Sequence, residues 1–179
     1  MDGEPVPWLT YPAIFWLKAV CDGVGPVFEF GCGNSTLWWA KRSRRVVAVE
    51  YDAGWLGRII EAKLSNVQVH RTPIESYSEA LATSWERFEV IVIDGGSDRN
   101  ACAPPTIDHL SEGGLVVFDD SHLPYHAEGI RLLHRAGFHR VDFVGPRPDT
   151  RFIEATSIFS HDLNRWSTAG PLMFHSGFA

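Results

Sequence analysis

The chain has 179 residues, 45% of them hydrophobic, a size and composition suited to one compact domain that buries a core. A formal net charge of −6 offers no broad basic field, which makes nucleic acid a disfavoured partner. Three widely spaced cysteines, Cys21, Cys32 and Cys102, suggest neither a disulfide framework nor a CxxC metal pair. With no leader-like N-terminus and no apolar run of the roughly 20 residues that a spanning helix needs, a cytoplasmic location away from the membrane is expected.

In chain order, residues 1–25 form an N-terminal helical segment, with a helix predicted over 8–20 that packs on the domain. Residues 26–163 form the core. Short runs that are apolar on both faces predict strands at 27–30, 46–50, 67–70, 90–94 and 115–119. Helical spacing separates them at 35–42, 54–64, 76–84, 103–110 and 127–136. Doubly buried strands alternating with helices imply an α/β fold, a Rossmann-like and mostly parallel sheet covered on both faces. Gly113 and Gly114 read as the end of one helix and Gly137 as the end of another. Beyond Gly137, residues 138–144 and 156–160 flank a Pro-rich turn at 145–148 and predict a closing antiparallel hairpin, for a total of seven strands. The tail over 164–179 is apolar enough to pack but has no period.

The first predicted strand runs Val27-Phe28-Glu29-Phe30 into the turn Gly31-Cys32-Gly33 and then Asn34-Ser35-Thr36. Ligands of open α/β sheets bind at the carboxyl ends of the strands, where glycines let a ligand approach the backbone. Asn34 and Ser35 are expected to help hold the bound ligand, and either is also placed to cap the next helix. Glu50 closes the second strand, where a carboxylate accepts hydrogen bonds from ribose hydroxyls. A dinucleotide is less well served, because Ser35-Thr36-Leu37 replace the third glycine of GxGxxG and Glu29 would sit beside a diphosphate. Glu29 suits the ammonium of an amino acid, directly or through water.

This run, Glu29-Phe30-Gly31-Cys32-Gly33 followed by Glu50, resembles the first two motifs of the class I S-adenosylmethionine-dependent methyltransferases. The resemblance covers residues 27–160 and implies that Gly31 and Gly33 lie under the methionine part of the cofactor while Glu50 holds its ribose. It also implies that Tyr51 or Trp55 flanks the adenine and that Thr72 contacts it; Trp55 reads equally as helix-to-sheet packing.

Asp94-Gly95-Gly96 ends the fourth strand and Asp119-Asp120-Ser121-His122 the fifth, on the same side of the sheet as the glycine turn. The pattern is similar to that of cation-dependent O-methyltransferases, in which such acids hold a divalent metal. The resemblance implies Mg²⁺ or another divalent cation on Asp94, Asp119 and Asp120, lowering the pKa of a coordinated hydroxyl. Asp94 and Gly95 read alternatively as cofactor contacts, and Asp120 as a turn cap. Ser97 stands where the catechol-type pattern has a lysine, which argues against a catechol acceptor. His122, with Asp119, is then a candidate to orient or deprotonate the acceptor, or else a loop histidine. The other histidines form no zinc spacing.

The expectation is methyl transfer from S-adenosylmethionine to an oxygen or nitrogen of a small molecule. The alternatives are a nucleotide-dependent oxidoreductase and a non-catalytic binding module. Seven tryptophans allow an aromatic acceptor pocket, a homodimer contact or plain core packing.

Overall fold

The computed structural model describes residues 5–96 and 98–167. Thirteen principal elements follow in order: α1 (Tyr11–Val20), β1 (Val24–Phe30), α2 (Asn34–Ala40), β2 (Ser43–Glu50), α3 (Ala53–Glu61), β3 (Val67–Arg71), α4 (Tyr77–Ala82), β4 (Phe88–Ile93), α5 (Arg99–His109), β5 (Leu110–Phe118), α6 (Ala127–Arg135), β6 (His139–Arg147) and β7 (Thr150–Ser160). The strands form one sheet in the order β3-β2-β1-β4-β5-β7-β6. The first five pair in parallel, and β7 lies antiparallel between β5 and β6.

Period-two alternation divides the strand side chains between two cores. Phe28, Phe30, Val47, Val49, Ile91, Ile93, Val116 and Phe118 face one layer, closed by residues of α4, α5 and α6. Val27, Val46, Val90, Val92, Leu115, Val117 and Ile158 face the other, where α1 contributes Ile14 and Leu17 and α2 contributes Trp38 and Trp39. Because both faces are covered, the buried parts of β2, β4 and β5 read as near-continuous apolar runs, as parallel strands covered on both faces do. All three cysteines are free and buried.

Several boundaries differ from the sequence expectation. Helix α5 begins at Arg99 rather than 103 and carries Pro104 and Pro105 inside it. Asp98 caps its first turn through Asn100 N at 2.9 Å, and Arg99 anchors it to the acids opposite, so tertiary bonds offset the proline cost. Gly113 and Gly114 do not end that helix but lie within β5, where the pairing jumps from Phe88↔Leu110 to Val90↔Leu115 and Gly113 takes φ +65°. The hairpin strands run further than expected, with Pro146 inside β6, an edge strand that can lose a donor without cost. Neither Asn34 nor Ser35 caps α2. Gly33 holds the N-cap position, its N–H donating to Thr36 Oγ1 at 3.0 Å. No helix among the described residues is long and apolar enough to cross a membrane. Most of the tail, residues 168–179, lies outside the described residues, as does Ser97.

Candidate active site

Strand order reverses between β1 and β4, the place where an open α/β sheet parts its loops and leaves a crevice. The turns after these two strands touch there. Gly31 has φ +100° and Gly95 φ +74°; a Cβ on Gly31 would stand 2.9 Å from Gly95 Cα, and one on Gly95 would stand 3.1 Å from Gly31 Cα. Only glycine meets both the left-handed backbone and the close approach. The cleft that opens above them has a volume of about 290 Å³. Gly31, Gly33, Asn34, Ser35, Glu50, Tyr51, Asp94, Gly95, Asp119 and Asp120 all line it, so most of the residues singled out in the sequence share one site.

Glu50 is 4% exposed and works as a fastener. Its Oε2 accepts from Cys32 N at 2.9 Å, and Oε1 accepts from Tyr51 N at 2.9 Å, Asp52 N at 2.8 Å and the Tyr77 hydroxyl at 3.2 Å. Oε2 thus keeps lone-pair capacity for a ligand hydroxyl. Burial, followed by the charge of Glu50, pushes the Tyr77 phenol far above its ordinary range. Asp52 caps α3 through Trp55 N and also reaches the cleft.

Glu29 lies on the α2 face of β1, 1% exposed, behind the turn rather than on the cleft wall. Neither of its carboxylate oxygens has a hydrogen-bond partner. Burial pushes its pKa up to about 8; the Thr36 and Ser35 hydroxyls temper the rise and the Asp94 charge adds to it. Trp8 and Trp55 meet edge to face at 5.2 Å, and the Trp55 ring comes within 3.5 Å of where a Gly33 Cβ would be. They form an aromatic wall of the cleft, a role that the place of Trp8 ahead of α1 does not signal in the sequence. Thr72 does not join the site: it borders a separate groove with His70 and Trp85.

The acids at the ends of β4 and β5 converge as expected, but around arginines. Arg99, 6% exposed, places Nη2 at 2.9 Å from Asp94 Oδ1 and Nη1 at 3.0 Å from Asp120 Oδ2, and donates to the Asp119 carbonyl. Arg147, from the end of β6, places Nη1 at 3.2 Å from Asp119 Oδ2 and 3.0 Å from Asp120 Oδ1. Asp119 is 1% exposed and its Oδ1 accepts from Thr156 Oγ1 at 2.8 Å. Burial first, then the charges of Asp94 and Asp120, hold the Asp119 pKa well above the carboxylate range. Burial also raises that of Asp94, against the pull of Arg99. Asp120 adopts φ +52°, rare for a residue with a side chain. His122 lies outside the cleft wall: its Nδ1 accepts from Ala155 N at 3.2 Å, and Nε2 lies 2.8 Å from Glu154. Arg99 and Arg147 are cleft residues that the sequence does not single out; the one signal for them is the run of acids, which must be balanced.

A seven-stranded sheet of this order, with a glycine turn, a strand-end acid and an acid cluster on one cleft, defines a Rossmann-like cofactor-binding enzyme. The chain belongs to the methyltransferase domain family, whose model matches residues 28–121, and it is a class I S-adenosylmethionine-dependent methyltransferase. That membership sets it apart from the nucleotide-dependent oxidoreductases. Among solved structures it is similar to a precorrin-6y C5,15-methyltransferase from Geobacter metallireducens (TM-score 0.64, 14% identity, covering 83% of this chain and 86% of that one). It is similar also to a precorrin-8w decarboxylase from Methanobacterium thermoautotrophicum (TM-score 0.61, 20% identity, 89% and 94%). A third is the N-methyltransferase NodS from Bradyrhizobium japonicum in complex with S-adenosylhomocysteine (TM-score 0.59, 16% identity, 82% and 81%). No curated protein sequence matches the chain.

The cleft fits S-adenosylmethionine. The abutting glycines leave backbone open to a ligand, Glu50 keeps a free lone pair, and an unpartnered buried carboxylate lies behind the turn. The fit to a divalent cation is poor, since all three acids are bonded to guanidinium groups.

Proposed function

We propose that the enzyme methylates an oxygen or nitrogen of a small molecule, with Asp119 as the proton acceptor. The observation that carries this reading is that Asp119 lines the same cleft as the glycine turn and Glu50. Gly31, Gly33, Asn34, Ser35 and Gly95 would cradle the cofactor's methionine part, Glu50 its ribose, and Tyr51 or Trp55 its adenine. When bound, S-adenosylmethionine supplies an electrophilic methyl group on a positively charged sulfur. Asp119 has a pKa raised by burial, so its carboxylate is a stronger base than an ordinary one and better matched to an amine or hydroxyl proton. Arg147 and Thr156 hold that carboxylate in one orientation, which favours a positioned proton transfer. The five acids that line the cleft, Glu50, Asp52, Asp94, Asp119 and Asp120, against Arg99 and Arg147, favour a cationic cofactor over a phosphate-rich one.

Metal assistance is not part of this reading, because the acids proposed to hold the ion bond arginine instead. His122 is not proposed as the base either, because both of its ring nitrogens are engaged. Mass spectrometry of ligands carried through purification, followed by a screen of small amines, hydroxyls and carboxylates for S-adenosylhomocysteine formation, tests the proposal. Cofactor binding with no turnover across the panel would favour a binding module.

A further inference from the structure

Five of the six carboxylate oxygens on Asp94, Asp119 and Asp120 have a partner supplied by the chain itself. Arg99 takes Asp94 Oδ1 and Asp120 Oδ2, Arg147 takes Asp119 Oδ2 and Asp120 Oδ1, and Thr156 takes Asp119 Oδ1. A divalent cation such as Mg²⁺ or Ca²⁺ binds about six or more oxygens at roughly 2.0 to 2.6 Å. To enter here it would have to displace these hydrogen bonds and lie beside two guanidinium groups that cannot lose their charge. A second set of ligating atoms, on Asp120, His122 and Glu154, lies within 4.8 Å of one another. Its members are also committed: Asp120 to both arginines, and His122 to Glu154 and to the Ala155 N–H. An imidazole that accepts the Ala155 N–H through Nδ1 carries its proton on Nε2, the nitrogen facing Glu154, and has no lone pair left for a metal.

We infer that Arg99 and Arg147 stand in the cation's place, neutralising the acid cluster so that this methyltransferase binds no divalent ion there and turns over without one. The inference rests on the reading of the cleft as the methyl-transfer site. Two fixed positive charges face Asp94, Asp119 and Asp120, and Arg147 is fixed in place by Asp149, whose Oδ1 lies 2.9 Å from its Nε. Arg99, nearly buried at the floor of the cleft, joins the turn after β4 to the turn after β5. Arg147, the more exposed of the two at 19% of its side chain, lines the cleft and puts a fixed positive charge beside Asp119 and Asp120. Without a Lewis acid, an acceptor hydroxyl loses its proton to Asp119 or is acidic by its own chemistry, as a phenol or carboxylic acid is.

The test is a titration of Mn²⁺ into the full chain, followed by the electron paramagnetic resonance of the free ion, with and without S-adenosylhomocysteine. Calorimetry of S-adenosylmethionine on the same samples reads the cofactor site separately. Wild type is expected to leave the free-ion signal undiminished. Arg147→Gln frees Asp119 Oδ2 and Asp120 Oδ1 while keeping buried Arg99, and it is expected to bind Mn²⁺ about tenfold or more tightly than wild type. Adding Asp120→Asn is expected to abolish that gain. One Mn²⁺ taken up per wild-type chain would overturn the inference, and so would an Arg147→Gln protein that gains no affinity. If S-adenosylmethionine fails to bind wild type, it is the assignment of the cleft that falls, whatever Mn²⁺ does.

Discussion

The Glu50 Oε2 atom accepts a hydrogen bond from the Cys32 N–H at 2.9 Å, so the acid that ends β2 holds the glycine turn that ends β1. The same side chain takes the Tyr51 and Asp52 N–H groups and the Tyr77 hydroxyl. Glu50→Ala is therefore expected to act twice. It removes charge-assisted bonds to the cofactor, weakening binding by about 1.5 to 3 kcal/mol, and it leaves the Cys32 and Asp52 N–H groups without their acceptor, while Tyr51 N keeps the Tyr77 hydroxyl, lowering the melting temperature. Glu50→Gln keeps one acceptor oxygen and should lose less of both. Calorimetry with S-adenosylmethionine and thermal denaturation separate the two effects; an unchanged dissociation constant in Glu50→Ala would remove Glu50 from the cofactor site.

The contact between Gly31 and Gly95 makes a second prediction. Alanine at either place faces a left-handed φ and meets the other turn's backbone at 2.9 or 3.1 Å. Each substitution is expected to cost about 1 to 3 kcal/mol of stability and to weaken S-adenosylmethionine binding, since the two turns must part. Gly57 is the control. It lies within α3, and a Cβ placed there would meet nothing within 4 Å, so Gly57→Ala is expected to stabilise by roughly 0.5 to 1 kcal/mol. Urea denaturation of the three variants that ranks Gly31→Ala or Gly95→Ala beside Gly57→Ala would refute the account.

The sheet and the cofactor end of the cleft are legible in the sequence because the physics there is local. Runs such as Ile91-Val92-Ile93 read as strands because both faces are buried, and Gly31 and Glu50 announce a turn and a strand end by residue type alone. What the sequence hides depends on contacts remote along the chain. The start of α5 at Arg99 is masked by Pro104 and Pro105, and is held by Asp94 and by Asp120, twenty-one residues further on. Arg147 looks like part of a Pro-rich turn, yet β6 carries it back to Asp119 and Asp120. The acids are placed at one edge by the pattern, but their partners are not, because a run of aspartates does not say which cation will balance it. His122 is drawn away by Glu154, a residue of β7 that no spacing rule connects to it.

Asp119 and His122 are both candidates by residue type to take the acceptor's proton, and the structure separates them. Asp119 lines the cleft with a raised pKa, whereas His122 is bonded to Ala155 and Glu154 away from its wall. With an acceptor found by screening, Asp119→Asn is expected to lower kcat by about 10²- to 10⁴-fold while S-adenosylmethionine binding changes little. His122→Gln is expected to stay within a few-fold of wild type. Single-turnover formation of S-adenosylhomocysteine is the measurement, and the reverse ranking would return the role to His122.

Glu29 makes the cofactor site sensitive to pH, and the sign follows from its burial. Burial, only partly offset by the Thr36 and Ser35 hydroxyls, pushes its pKa up to about 8 from an ordinary value near 4.5. The folded chain therefore holds this proton more tightly than the unfolded chain does. The group's contribution to stability is complete below the unfolded value and is lost as pH rises towards 8. In the free enzyme the melting temperature should fall over this window, and Glu29→Gln should remove that part of the slope. A cationic ligand reverses the preference, because an ammonium near the turn, directly or through water, favours the charged carboxylate. Binding near neutral pH is then expected to release a proton from Glu29, and affinity to rise with pH until it levels off above about 8. Calorimetry at neutral pH in two buffers of different ionisation enthalpy counts that proton. The difference between wild type and Glu29→Gln isolates it from the cofactor's own titration, and equal proton counts in the two proteins would place the cofactor's ammonium away from Glu29.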